Sequence, residues 1–333
     1  MSQHFTYKQI TQSEFNDLVK SLEPQHIPIE QTLDWGKFDD SQPGRKFLGS
    51  FSYEQDGRFI ALASATLYQQ KGRNWIWIKH GPIYASEPNT ETVKKMCSTL
   101  KAQFSSVENV QPIFVRLSSS TKSKPLVMPF EHTMYDETVV IDLTKSEEEI
   151  LSEMSQGGRQ GIRRATKAGV QVSELKDVES FEKTLYPILS ETASRSGFGV
   201  HPSSLYASML ENLNSSKLYA ATLNGKPVAW AITTEYNQTA LYYYGASNNE
   251  ARDSYAPYLL HWEIIKDMKA RGNKTYDFMG IAGKNYPSLA NVTTFKLKFS
   301  KNVVRVTQAY DLPIRPLKYL ALSLAIKLKR KLK

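Results

Sequence analysis

Apolar and polar residues interleave along the first third of the chain in short runs bounded by turn residues. KFLGSFSYEQDG (46–57), RFIALASATLYQQ (58–70), WIWIKHGPIYA (75–85), PIFVRLS (112–118) and TVVIDLT (138–144) read as strands. QDG and KGRN serve as hairpin turns between the first three. SEFNDLVKSL (13–22) and TETVKKMCSTLKAQFSSV (90–107) have helical spacing, the second capped at or near Thr90. The pattern then restarts. SEEEILSEM (146–154) opens a helix with acids in its first turn, and MSQGGRQGIRRATKAGVQV (154–172) holds a second helix and the start of a strand. A helix over 178–197, closed by Gly197, and a shorter one over 203–213 lead into three strands, KLYAATLNG, KPVAWAITTEYN and TALYYYGASN (217–248). YAPYLLHWEIIKDMKARG (255–272) is a long helix ending at Gly272, KTYDFMGI (274–281) a strand, and FKLKFSKNVVRVTQAYDLP (295–313) a final pair of strands.

A strand–helix–meander–helix–strand module therefore occurs twice, which predicts two α/β domains in tandem. The boundaries expected are 1–145 for the first and 146–313 for the second, with a C-terminal helix over 314–333 packing on the first. A length of 333 residues agrees with two cores. The single cysteine, Cys97, forms no internal disulfide and reads as a packing residue of its helix. The N-terminus lacks a basic stretch followed by an apolar run, and no stretch approaches the ~18 apolar residues of a membrane span. Together these readings give a cytoplasmic protein.

Charge is unevenly distributed. The net charge is +9, and seven cations with no acid lie in Arg315–Lys333, so the remainder carries only +2. Within that remainder Arg159, Arg163, Arg164 and Lys167 fall in nine residues without an acid. Arg159, Arg163 and Lys167 share one helix face, the pattern either of an ordinary solvated face or of a surface for an anionic partner. In the tail, Leu317, Leu320, Ala321, Leu324 and Leu328 share a helix face that ends in cations. That arrangement suits a peripheral contact with anionic lipid at the inner face of the plasma membrane, or a docked terminal helix.

The second module resembles the acyl-CoA acetyltransferase (GNAT-like) fold, yet no glycine-rich pyrophosphate loop opens a helix. The nearest stretch, QQKGRN (69–74), is a hairpin. A more specific resemblance lies in RQGIRRATKAGVQV, which is similar to the R-x-x-I-[RK]-[RK]-A-x-K-x-G-V signature of the Fem family of non-ribosomal peptidyltransferases. TLDWGKF (32–38), KHGPIYA (79–85), LYYYGASN followed by SYAPYLLHWEIIKDMKARGNKTYDFMGI (241–281), and TTFKLKFSKNVVRVTQAYDLP (293–313) resemble further family stretches in the same order.

The resemblance implies two tandem GNAT-like domains with mixed, mostly antiparallel sheets flanked by helices. Only one short helix fits in 203–217, so the compact type without a coiled-coil arm is implied. It implies transfer of an amino acid from aminoacyl-tRNA to the stem-peptide amine of a peptidoglycan precursor (lipid II or UDP-MurNAc-pentapeptide). No cofactor or metal is implied; aminoacyl-tRNA is the co-substrate. Lys296 would act on the ester carbonyl or the leaving oxygen, with Phe295 stacking on the terminal adenine. Lys37 beside Trp35 would bind diphosphate, while Arg195, His201, Tyr206, Tyr244, Tyr255 and Tyr258 would line the acceptor site. Arg159, Arg163, Arg164 and Lys167 would grip the tRNA. His201 stands where a relative carries arginine. Leu117 and Ser118 stand where relatives carry an acid after the PIFVR-type strand. The alternatives are a non-catalytic tRNA- or membrane-surface protein on the same scaffold, or an acyl-CoA-dependent N-acyltransferase. Lys296 is expected at an exposed site, so that Lys296→Ala would change stability by no more than about 1 kcal/mol.

Overall fold

The structure, a computed structural model, describes residues 5–331 except 24, 71, 132–133, 177–180, 197–198 and 285. In chain order β1 (Phe5–Ile10), α1 (Gln12–Ser21) and α2 (Leu33–Asp40) precede the meander β2 (Arg45–Gln55), β3 (Arg58–Gln70) and β4 (Arg73–Trp77). The two-residue β5 (Ile83–Tyr84), α3 (Thr90–Gln103) and β6 (Phe114–Ser118) follow. Next come β7 (Glu137–Asp142), α4 (Glu147–Glu153), α5 (Gln156–Lys167), β8 (Gln171–Leu175), α6 (Tyr186–Ser196) and α7 (Ser203–Asn212). A second meander, β9 (Ser216–Leu223), β10 (Lys226–Tyr236) and β11 (Thr239–Ser247), leads to α8 (Asn249–Asp253), α9 (Ala256–Ala270) and β12 (Thr275–Gly280). The chain ends with α10 (Ala290–Lys296), β13 (Val303–Arg305), β14 (Ala309–Pro313) and α11 (Pro316–Lys331).

The hairpins obey their turn chemistry. Asp56-Gly57, Asn224-Gly225 and Asn237-Gln238 all have positive φ at both central positions, matching the right-handed twist of the flanking strands. Thr11 with Glu14 and Ser146 with Glu149 form reciprocal capping boxes on α1 and α4. The cap of α3 is Asn89, which accepts from the amide of Thr92.

The chain divides into two compact units, Met1–Met134 with Thr307–Lys333, and Tyr135–Val306. The first sheet has the order β1-β2-β3-β4-β6-β14, and the second β13-β7-β12-β11-β10-β9-β8. In each, the last strand of the meander runs parallel to the strand after the helix, β4 to β6 and β11 to β12, and all other pairings are antiparallel. The division thus falls earlier than residue 145, because β7 joins the second sheet through β12 and β13. β14 returns to the first sheet beside β6. The stretch read as a final strand pair is therefore neither paired nor wholly extended: Phe295 and Lys296 close α10, and β13 and β14 lie in different sheets. Asp311, opposite Arg116 in register, fixes β14 there. It accepts both a 2.7 Å and a 2.9 Å bond from the buried guanidinium.

Of the helix expected over 178–197, the described part is a π turn over Phe181–Leu185 followed by α6; residues 178–180 and the closing Gly197 lie outside the described residues. Pro187 supplies the physical reason: it has no N–H to give and its ring crowds the preceding turn, which the wider π turn accommodates.

In the first unit α3 lays Val93, Met96, Cys97 and Leu100 on the sheet, and burial pushes the Cys97 thiol up to about 12, so it is an inert packing group. In the second, α4, α5 and α9 cover one face over Val139, Ile141, Ala229, Ala231 and Tyr276. The N-terminal end of α5 abuts the chain after α10: Ser155 N–H donates to the carbonyl of Lys298 at 3.0 Å. A Cβ on Gly158 would sit 2.5 Å from that carbonyl oxygen, whereas one on neighbouring Gly157 would meet only the flexible end of the Lys298 side chain at 3.3 Å. Gly158→Ala should therefore destabilise the protein by about 1–3 kcal/mol. Gly157→Ala should leave it unchanged or raise it by up to about 1 kcal/mol through helix propensity. Urea melts of the two variants check this; equal effects would remove the close approach at Gly158.

Candidate functional site

The parallel pair β11–β12 is closed only over Thr239–Leu241 against Thr275–Asp277. Beyond Leu241 a bulge in the β10–β11 register, Ile232 opposite Tyr244 and Thr233 opposite Tyr242, leaves Tyr243 as the extra residue. Simple alternation would put Tyr242 and Tyr244 on one face. The bulge sends them to opposite faces instead. Tyr242 packs on His261 of α9 (4.4 Å between centroids) and Tyr244 on Tyr206 of α7 (4.9 Å). Gly245 lets the Tyr242 ring lie along the strand, since a Cβ there would overlap its hydroxyl.

β12 ends irregularly as well. Its register with β7 breaks between Asp277 and Gly280, and Met279 takes a left-handed φ of 58°. Asp277 holds that kink by accepting from the Met279 amide at 2.6 Å and from the Thr138 hydroxyl. The kink presents two carbonyls, of Met279 and Gly280, to the Lys296 ammonium, which donates to them at 3.2 and 2.6 Å. Lys296 is only 8% exposed, so the expectation of an exposed lysine is corrected: it lies at the C-terminal end of α10 with its head drawn inward. Burial lowers its pKa to about 8, against a smaller upward pull from Asp277. Two of the three ammonium donors are engaged by the carbonyls, which leaves one for a ligand oxygen. The adjacent His261 is pushed down to about 3, by burial first and the Lys296 charge second, and stays neutral with Nδ1 3.0 Å from the Tyr276 hydroxyl. Phe295 is half-buried, edge-on to Tyr258 (5.2 Å) and Phe299 (5.2 Å).

Helix α5 is built onto this group. Its Gly161 faces Tyr258, whose ring a Cβ would meet at 2.5 Å. Arg164 caps Tyr255, with a 2.5 Å bond to the hydroxyl and the guanidinium 5.0 Å over the ring; Tyr255 itself is left-handed at φ 59°. Arg159, read as part of the cationic stripe, turns back to cap α4, donating to the carbonyls of Ser152 at 3.2 Å and of Met154. Arg163 and Lys167 are exposed and, among the described residues, hold no acid.

The other expected site residues are placed as follows. Tyr206 is buried among Phe181, Trp230 and Tyr244, while His201 is exposed, its carbonyl accepting from Tyr186 at 2.9 Å. The side chain of Arg195 lies outside the described residues. In the first unit Lys37 is exposed and pairs with Asp34 at 2.9 Å on α2. Trp35 is 2% exposed and forms one wall of an aromatic clamp on Lys79, whose ammonium lies 4.9 Å over Trp35 and 5.1 Å over Trp77. Burial holds that ammonium below the usual lysine range against the pull of Asp39. Sequence reasoning missed Lys79. The period-two run through Trp75 and Trp77 was the available signal, because it places residue 79 on the face those two indoles share. Among the described residues no three His, Cys, Asp or Glu side chains are arranged to hold a metal ion.

Twin meander sheets, each with one short parallel pair, define a tandem fold of the GNAT-like type. The chain belongs to the FemAB family, whose model matches residues 128–226 and 215–327. A crystal structure of FemX shares the fold over 96% of this chain and 100% of that one, with a TM-score of 0.75 at 14% identity. A tandem GNAT protein from the clavulanic acid biosynthesis pathway aligns over 93% of this chain and 99% of its own, with a TM-score of 0.56 at 11% identity. The C-terminal domain of a putative lysylphosphatidylglycerol synthetase from Agrobacterium fabrum covers 94% and 96%, with a TM-score of 0.55 at 13% identity. No curated protein matches the sequence.

Burial of the Lys296 charge has a consequence for stability. The folded pKa is below the unfolded one, so between about 8 and 10.5 the unfolded chain binds more protons and stability rises with pH. The penalty is fully present below that window and gone above it. The unfolding free energy of the wild type, minus that of Lys296→Met, should therefore climb by up to about 3 kcal/mol across the window. A flat difference would mean that Lys296 titrates as an ordinary surface lysine.

Proposed function

We propose that this protein transfers an amino acid from aminoacyl-tRNA to the side-chain amine of the stem peptide of a peptidoglycan precursor, lipid-linked or UDP-linked. Such a step builds the interpeptide bridge of the cell wall. The observation that carries the reading is the seat of α5, whose exposed Arg163 and Lys167 ride on a helix packed against the segment that follows Phe295 and Lys296. A phosphate backbone gripped by α5 would deliver its 3′ end toward that segment, since Lys and Arg contacts to phosphate dominate such affinity.

The chemistry is ester aminolysis. The acceptor amine, as its free base, forms a C–N bond to the ester carbonyl; the C–O bond to the tRNA 3′ oxygen breaks, and that oxygen leaves with a proton while the nitrogen gives one up on becoming the amide, so no net proton is consumed. The free donor of Lys296 stabilises the oxyanion of the tetrahedral intermediate, an effect worth typically a few kcal/mol. With a pKa near 8 its ammonium is also a better proton donor to the leaving oxygen than an unperturbed lysine. Phe295, half-buried, stacks on the terminal adenine, and Tyr255 and Tyr258 orient the acceptor amine from the start of α9. Lys37 takes the diphosphate of the precursor, releasing Asp34 to do so. Neither a cofactor nor an acyl-enzyme is required. The reaction places the protein in the cytoplasm, where charged tRNA is found.

Incubation with charged tRNA and UDP-linked or lipid-linked muropeptide should yield a muropeptide one amino acid heavier. tRNA binding without product, or consumption of acetyl-CoA instead, would overturn the reading. Lys296→Met should lower single-turnover transfer by at least about 100-fold while leaving tRNA affinity unchanged. Arg163→Glu with Lys167→Glu should weaken tRNA binding at least about tenfold and reduce the slope of log affinity against log salt by about 2. An unchanged slope would separate α5 from the tRNA.

A further inference from the structure

Helix α11 carries two apolar stripes. One, of Tyr319, Leu322 and Ile326, packs against Trp75, Ile113, Phe114 and Phe130 of its own unit, and the Tyr319 hydroxyl donates to Asp311 at 2.9 Å. The other, of Leu317, Leu320, Leu324 and Leu328, faces outward and is 84%, 56%, 52% and 61% exposed. These are the only exposed leucines among the described residues, and their spacing of three, four and four keeps them in one line along the helix. Exposed Lys318 and Lys329 border the line on one side and Lys327 on the other, in a tail whose sequence holds seven cations and no acid.

We infer that the outward stripe of α11 rests in the plane of an anionic lipid surface, holding this unit on the membrane while the inward stripe keeps the helix attached. Sixteen residues make a rod of about 24 Å. No helix among the described residues is long and apolar enough to cross a bilayer, so the contact is lateral. Leucines enter the acyl boundary while lysine stems reach sideways to the phosphates of the headgroups. A second copy is the poorer occupant. Self-pairing of this face would set two acid-free cationic tails against each other, whereas a bilayer offers apolar chains and negative charge together. The inference stands independently of the transfer reaction.

The test uses the full chain and vesicles, with no tRNA or muropeptide present. In flotation, the protein should partition at least about tenfold more strongly into phosphatidylcholine vesicles carrying about 30% phosphatidylglycerol than into pure phosphatidylcholine, less so as salt rises. Leu320→Glu with Leu324→Glu should cut that binding at least about tenfold with no change in melting temperature, both side chains being exposed. Lys318→Glu with Lys327→Glu should remove the preference for the anionic vesicle. Absence of vesicle binding, binding that the leucine variant leaves intact, or a wild-type dimer that the same variant turns to monomer in sedimentation would each overturn the inference.

Discussion

A pair of parallel strands that closes for three residues and then parts is the constraint on which the second unit depends. Backbone groups freed by the parting of β11 and β12 need partners, and the space between the strands needs filling. The chain meets both demands with side chains from four directions. Tyr242 is turned inward by a bulge, His261 comes from α9, Phe278 from β12 itself, and Phe295 with Lys296 from α10. The Lys296 ammonium serves as a cap for the kinked end of β12, in the way a C-terminal cation satisfies the last carbonyls of a helix. A charge doing that structural task is held still, and a fixed cation with one donor unspent suits the stabilisation of a developing oxyanion. The first unit holds its own buried lysine beside its short parallel pair. β4 and β6 pair over Ile76-Trp77 and Val115-Arg116 and stay bonded beyond it through Ile78 N–H to the Arg116 carbonyl and Ser118 N–H to the Gly81 carbonyl, and Lys79 in that stretch is clamped between two indoles.

Close backbone approach connects this group to the basic helix. Gly158 and Gly161 have no side chain where the Lys298 carbonyl and the Tyr258 ring press against α5. Glycine inside a helix costs about 1 kcal/mol relative to alanine, so these positions give up helix propensity for contact. What they gain is a rigid relation between the cations of α5 and the end of α10. Of the four cations in that helix, two are committed inside the unit, Arg159 to the carbonyls at the end of α4 and Arg164 to Tyr255. Arg163 and Lys167 are left to face outward, so two of the four head groups have no such internal task among the described residues.

Local chemistry was legible in the sequence where it acts over a few residues. Asp56-Gly57 and Asn224-Gly225 form the turns their residue types require, and Ser146 with Glu149 forms the box its spacing announces. The duplicated meander, and with it the tandem architecture, follows from those turns. What stayed hidden depends on contacts far apart in the chain. Nothing local tells Asp311 that its partner is Arg116, so the last strand was read with its neighbour in sequence instead of with the first sheet. The run of three tyrosines looks like plain alternation, because a bulge is set by the register of the neighbouring strand. Lys296 was singled out only through resemblance, and its burial was not legible at all, since the carbonyls that hold it belong to a kink 16 residues earlier.

The most direct test of Lys296 at the reacting carbonyl is a crystal structure with a short 3′-end mimic of aminoacyl-tRNA carrying an amide in place of the ester. The amide oxygen should lie within hydrogen-bond distance of the Lys296 ammonium, about 2.7–3.2 Å, with the adenine against Phe295. An analogue seated elsewhere, with Lys296 still closed on the carbonyls of Met279 and Gly280 and no ligand atom near it, would contradict that placement.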